Sequence, residues 1–225
     1  MATKQADVGT LKDAIVRATD MLFRSGVMQH SGHGNLSARL DGDRMIITSG
    51  GMLQGLTASD LAIVTRDGRV VDGHLEPAAA EIVSMHACVY EARPNVGAVI
   101  HTHSPNATAF ALANEPVPCA YEAMLRFGMV DGAPVAAWAP RGSRESVENI
   151  VGCLRAYPST PAILLGNHGL LAFAADPLTT ARVVIILEEA AGMTLGARHL
   201  GGEKAFPADA LAREREHMAR FGSTT

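Results

Sequence analysis

Residues 93–104 read Arg93-Pro94-Asn95-Val96-Gly97-Ala98-Val99-Ile100-His101-Thr102-His103-Ser104. Arg93-Pro94 stops the helix expected before it, because proline disfavours helical geometry at the preceding residue and lacks a backbone donor. The apolar run that follows predicts a strand over 96–103. Side chains alternate along a strand, so His101 and His103 point to one face, at a separation that suits two imidazoles on one cation. Zinc or a similar ion then needs a third nitrogen or oxygen ligand, with a position left for substrate. His168, in the tight turn Gly166-Asn167-His168-Gly169 between two apolar runs, is the candidate. Taken alone, each histidine motif also reads as a satisfied polar residue at a strand end.

Working outward, 9–26 predicts an amphipathic helix, with Leu11, Ile15, Ala18, Leu22 and Phe23 near helical spacing. A glycine-rich loop covers 30–35, and 36–40 is extended. Short β-branched runs at 44–48 and 61–65 predict strands. Helices are expected over 77–92, opened by Pro77, over 106–114, and over 143–156 with Ser143 as N-cap. Strands are expected at 134–139, 162–165 and 170–174. Asp176-Pro177 opens a long helix running to about residue 200, and a short polar helix follows Pro207. There is no internal repeat or linker, so 1–225 reads as one α/β domain with helices covering a mixed sheet.

Composition bounds the partners. The chain has 225 residues, 48% of them hydrophobic and 19% charged, enough to bury a large core. With a net charge of −4 and no basic run, nothing suggests nucleic acid as a partner. No apolar run reaches the roughly 20 residues needed to span a bilayer, and the polar N-terminus lacks a signal-peptide core, so a cytoplasmic location is expected. Cys88, Cys119 and Cys153 are odd in number and widely spaced, as reduced core thiols are. The ten methionines read as core fillers.

Four ordered motifs together resemble the class II aldolase and adducin family, whose members include fuculose-phosphate aldolase and ribulose-phosphate epimerase. These are Gly34-Asn35-Leu36-Ser37-Ala38-Arg39, Ile47-Thr48-Ser49-Gly50-Gly51, the 93–104 stretch, and Leu165-Gly166-Asn167-His168-Gly169-Leu170-Leu171. They span residues 10 to about 200. The resemblance implies a three-layer α/β/α fold with a largely antiparallel central sheet. It also implies a homotetramer with active sites between subunits, and Zn²⁺ (or Mn²⁺ or another divalent ion) on His101, His103 and His168. A glutamate completing the metal site and acting as acid/base would be Glu81. Gly34, Asn35, Thr48, Ser49 and Gly50 would contact substrate. The chemistry implied is carbon–carbon cleavage of a hydroxy-carbonyl compound through a metal-bound enediolate, where the cation takes the developing charge.

Three departures qualify that pattern. Where the family carries two serines that help cradle a substrate phosphate, this chain has Ala79 and Ala80, so a phosphorylated substrate is less expected. The family glutamate precedes a helical histidine by four residues, whereas Glu81 precedes His86 by five; residues five apart do not share a helix face, so the two should not both face the metal. Either a residue is inserted or the carboxylate has moved, with Glu76 as fallback. His33 interrupts the glycine loop, either to meet a substrate carboxylate or as a solvent-facing residue. Tyr121, in a region that approaches the neighbouring subunit's site in the family, is either a proton donor or a core or interface tyrosine. Arg126 and Arg141 either pair with a substrate acid or lie on the surface.

The leading reading is therefore a metal-dependent lyase of the aldolase type. A decarboxylase of a 3-oxo or hydroxy-aromatic acid is the alternative, since loss of CO₂ gives the same kind of enolate. An epimerase or dehydratase is a further variant. The contrasting class is a non-catalytic, adducin-like scaffold, which need not keep the histidines.

Overall fold

The computed structural model describes residues 7–28 and 32–221. Its strands are β1 (Gly34–Arg39), β2 (Arg44–Thr48), β3 (Leu61–Thr65), β4 (Val70–Asp72), β5 (Ala98–Thr102), β6 (Val135–Ala136), β7 (Ala162–Leu165) and β8 (Gly169–Ala174). Its helices are α1 (Val8–Arg24), α2 (Ala80–Ala92), α3 (Pro105–Ala113), α4 (Glu122–Arg126), α5 (Arg144–Ala156), α6 (Pro177–Arg198) and α7 (Ala210–Phe221). The strands form one sheet in the order β4-β3-β2-β1-β5-β8-β7-β6. Every neighbouring pair is antiparallel except β6 with β7. The largely antiparallel sheet expected from the resemblance is therefore present.

Period-two patterning sorts the strand residues onto two faces. Leu36, Ala38, Ile46, Ile63, Ile100, Leu164, Leu170 and Ala172 pack toward Ile15 and Leu22 of α1, Phe110 of α3 and Val184 and Leu187 of α6. Met45, Ile47, Ala62, Val64, Val99, Ile163, Leu171 and Phe173 pack toward Val83 and Val89 of α2 and Ile150 and Leu154 of α5. These are the three layers. The strands are buried on both faces, which is why several read as continuous apolar runs instead of alternating ones.

Local signals set the helix ends. Asp7, Ser143 and Asp176 accept backbone N–H bonds from Thr10, Ser146 and Thr179, so each caps the helix that follows. Pro177 sits in the first turn of α6, where its missing N–H costs nothing. The differences from the sequence reading lie at edges. The strand expected at 134–139 shortens to Val135–Ala136, which has only β7 to pair with. The exposed edge strand β4 and the five-residue α4 had no periodicity long enough to reveal them. Of the glycine loop at 30–35, His30 and Ser31 lie outside the described residues, while Gly34 and Asn35 already belong to β1. Cys88, Cys119 and Cys153 are free thiols, and burial pushes Cys88 up to about 12. Among the described residues, no helix is long and apolar enough to cross a membrane.

Candidate metal centre

The register of β5 builds the centre. His101 lies opposite Asn35 on β1 and Leu171 on β8, on the face that α2 covers. His103 follows the strand end and stays on the same side, with its Nε2 3.1 Å from Nε2 of His101. His168 arrives from the β7–β8 turn, where Asn167 takes a left-handed conformation (φ 55°) that asparagine tolerates better than most side chains. The His168 N–H donates to the carbonyl of Leu165 at 3.0 Å, and the Asn167 N–H to that of Ala111 at 2.9 Å, which fixes the turn. Gly169 lets the turn close: a Cβ there would lie 2.6 Å from the Thr102 oxygen and 2.9 Å from His103 Cδ2.

The ligand atoms of His101, His103 and His168 all lie within 4.8 Å of one another. Nδ1 of His101 is 2.9 Å from the carbonyl oxygen of Leu170. A carbonyl only accepts, so Nδ1 carries the proton and the Nε2 lone pair is left for the centre. Two nitrogens on one tetrahedral zinc ion stand roughly 3.3 Å apart, close to the separation observed. Burial keeps all three imidazoles neutral, as ligation requires. Desolvation, then His168 and His103, holds His101 well below its ordinary value. Desolvation, with help from His103 and Arg141, brings His168 to about 4, and desolvation with His33 and Arg141 lowers His103. The donor set and its protonation fit a divalent ion.

The cavity around the trio is lined by His33, Gly34, Asn35, Gly51, Ile82, Met85 and Arg141. Asn35 is held from behind by a buried polar chain. His86 Nε2 lies 2.6 Å from Asn35 Oδ1, His86 Nδ1 lies 2.7 Å from the Ser37 hydroxyl, and that hydroxyl lies 2.7 Å from the Tyr90 hydroxyl. Desolvation lowers His86 to about 3, so its ring is neutral. With Nε2–H donating to Asn35, Nδ1 accepts from Ser37, whose oxygen accepts from Tyr90. The chain thus runs in one direction and leaves the Asn35 amide N–H groups as what that residue can offer the cavity. Arg39 closes the far end, stacking on Tyr90 at 4.7 Å and donating to the Tyr90 and Val96 carbonyls. The sequence reading did not assign Ser37, His86 and Tyr90 to this chain. The available signal was polarity at alternate positions of a buried strand (Asn35, Ser37, Arg39) opposite a histidine and tyrosine four apart on a helix.

Several expected site residues lie elsewhere. Glu81 is not brought to the three histidines: it is half-exposed, and its Oε2 accepts from Arg141 Nε at 2.8 Å. Ile82, four residues before His86, takes the helix position that lines the histidine cavity. The one-residue offset seen in the sequence thus turns the carboxylate one step around the helix, as a 3.6-residue period requires. Glu81 lines an adjoining cavity that shares Ile82, Met85, Arg141 and His168 with the first. Thr48, Ser49 and Gly50 do not line the histidine cavity, although the next residue, Gly51, does. Thr48 Oγ1 accepts from the Leu36 N–H. The Glu76 carboxylate lies against Gly50, where a Cβ would meet Oε1 at 2.6 Å. Tyr121 precedes α4 and packs on the α1/α3/α6 side, its phenol raised by desolvation and Glu189. Arg126 is tied to Glu122 and Glu214, both at 2.9 Å.

The family model described as Class II Aldolase and Adducin N-terminal domain matches residues 13–195. An L-fuculose phosphate aldolase from Escherichia coli O6:H1 is 30% identical over 64% of this chain and 63% of its own length. The chain thus spans less than two thirds of that relative. A 5-methylthioribulose-1-phosphate/5-deoxyribulose-1-phosphate aldolase from E. coli O45:K1 is 30% identical over 72% of each chain. Among solved structures, an L-fuculose 1-phosphate aldolase superposes with a TM-score of 0.81 at 27% identity, covering 96% of this chain and 98% of its own. YgbL from Klebsiella pneumoniae, described under three alternative activities (aldolase, epimerase, decarboxylase), superposes with a TM-score of 0.77 at 26% identity, covering 92% and 99%. The chain belongs to the class II aldolase and adducin family.

Proposed function

We propose that the chain is an aldolase-type lyase that cleaves a carbon–carbon bond of a small hydroxy-carbonyl substrate through an enediolate. The observation that carries this reading is the convergence of His101, His103 and His168 in one cavity, with His101 already in the tautomer that presents Nε2. These residues would hold a divalent ion, zinc or manganese, which when bound supplies a Lewis acid where the enolate charge develops. An adducin-like scaffold would have no use for neutral, converging imidazoles oriented from a strand carbonyl.

The chain's own groups act around that centre. The Asn35 amide, fixed by His86, orients a substrate oxygen by donating an N–H. Ile82 and Met85 form an apolar wall that limits water beside the histidines. Glu81, on the adjoining cavity with His168 and not itself a ligand, exchanges the proton between solvent and the product carbon. The exposed side chain of Trp138 lines the adjoining cavity, and exposed Met52 bridges to His33 at the first; both favour closure by a neighbouring subunit in a homotetramer. In that assembly Tyr121 would reach a neighbour's site.

One observation favours decarboxylation as the second reading. Ile82 stands where the helix meets the cavity, so among the described residues no carboxylate base lines it, and loss of CO₂ needs no base to begin. An activity screen of the zinc-loaded protein with hydroxy-keto acids, ketose phosphates and their unphosphorylated forms tests both. Cleavage to an aldehyde supports the aldolase, CO₂ release the decarboxylase, and no turnover of any member contradicts a lyase.

A further inference from the structure

We infer that Arg141 is the receptor for a carboxylate on the substrate, which makes this a site for hydroxy-keto acids and not for sugar phosphates. The inference rests on the proposed lyase reading for the site's location, but on different residues. Arg141 belongs to the loop before α5 and lines both the histidine cavity and its neighbour. Its Nε is occupied by Glu81 at 2.8 Å. Among the described residues neither terminal nitrogen makes a hydrogen bond, so the guanidinium is oriented from one edge while its other edge stays available. Two parallel N–H groups on that edge match the two oxygens of a carboxylate.

Charge points the same way. Among the described residues no Asp or Glu lines the histidine cavity. The Arg141 cation is part of its lining. An anionic substrate arm is therefore favoured. A phosphate dianion is disfavoured at the positions where the resemblance expects a phosphate cradle. There Ala79 and Ala80 carry no hydroxyl, and the Glu76 carboxylate lies directly against Gly50, where it would repel a dianion.

The test is calorimetric titration of the zinc-equilibrated protein with three ligands that share a hydroxyacetyl head. These are 5-hydroxy-4-oxopentanoate, dihydroxyacetone phosphate and hydroxyacetone. The acid is expected to bind about tenfold or more tightly than hydroxyacetone, by one charge-assisted pair, and more tightly than the phosphate. In Arg141→Gln the acid falls to the affinity of hydroxyacetone, whose own binding is unchanged; Arg141→Lys, which keeps the charge without the fork, recovers part of the difference. Arg141 is more than half exposed, so both variants are expected to keep the wild-type melting temperature. An acid preference that survives Arg141→Gln, or a wild-type protein that prefers the phosphate, overturns the inference. Zinc stoichiometry in the same samples separates the two claims. A protein without zinc contradicts the metal reading, whereas the Arg141 inference stands or falls on the acid-over-ketone and acid-over-phosphate ratios.

Discussion

His101 donates from Nδ1 to the carbonyl oxygen of Leu170 at 2.9 Å, so a backbone group of one strand sets the tautomer of a side chain on the next. The pairing of β5 with β8 thereby does chemical as well as structural work. It holds the Nε2 lone pair of His101 toward His103 and His168, with no carboxylate in support among the described residues.

That pairing depends on Gly169. Adding a methyl group there would place it 2.6 Å from the Thr102 oxygen and against both imidazoles. Gly169→Ala is expected to destabilise the fold by about 1–3 kcal/mol and to weaken zinc binding at least tenfold. Urea denaturation and a competitive zinc titration check the two effects; unchanged zinc affinity would show that the turn has room the structure denies.

The buried chain behind Asn35 predicts unequal costs along its length. His86→Phe strands the buried Asn35 carbonyl and takes the acceptor from the buried Ser37 O–H, which keeps only Tyr90, at about 2–3 kcal/mol. Tyr90→Phe removes only the terminal hydroxyl, at about 1 kcal/mol. Because Asn35 loses its anchor in the first variant alone, substrate KM should rise for His86→Phe and stay near wild type for Tyr90→Phe. Equal costs in denaturation would contradict the directional chain.

Stability of the metal-free protein should fall with acid. His86 binds a proton in the unfolded chain below about pH 6.5, but in the folded chain only near its lowered value of about 3. The unfolded state therefore holds more protons throughout that window. Stability is complete above the unfolded value and declines as pH drops through it, by about 1.4 kcal/mol per pH unit for this one imidazole. His101 adds to the slope in the same direction. Urea midpoints that stay flat across the window would mean that these rings are not buried neutral.

Glu81→Gln separates a proton-transfer role from a ligand role. With its carboxylate on Arg141 and outside the histidine trio, loss of its charge should leave zinc stoichiometry intact. Turnover should drop by about 10²-fold or more. Zinc lost together with activity would return Glu81 to the ligand set.

Much of this was legible in the sequence because the strand period and the helix caps are local. The shared face of His101 and His103, the Asn-His-Gly turn, and the Ser143 and Asp176 caps all follow from short-range rules. The resemblance supplied the sheet's antiparallel character, which no single segment carries. What was hidden depended on distant parts of the chain meeting. The Asn35–His86–Ser37–Tyr90 chain needs β1 and α2 in register. The exchange of Glu81 for Ile82 at the cavity wall needs the helix phase. The approach of Glu76 to Gly50 needs two loops to close on each other. Arg141 was visible only as a lone arginine, because nothing near it in sequence reveals that its loop returns to the histidines.

The central claim is that three histidines form a divalent-metal centre. Zinc content after dialysis against Zn²⁺, measured for wild type and His103→Ala together with their melting curves, tests it most directly. The account predicts one zinc per wild-type chain, none in the variant, and both proteins folded. A folded wild-type protein that takes up no ion, or a His103→Ala protein that keeps full stoichiometry and turnover, would contradict it.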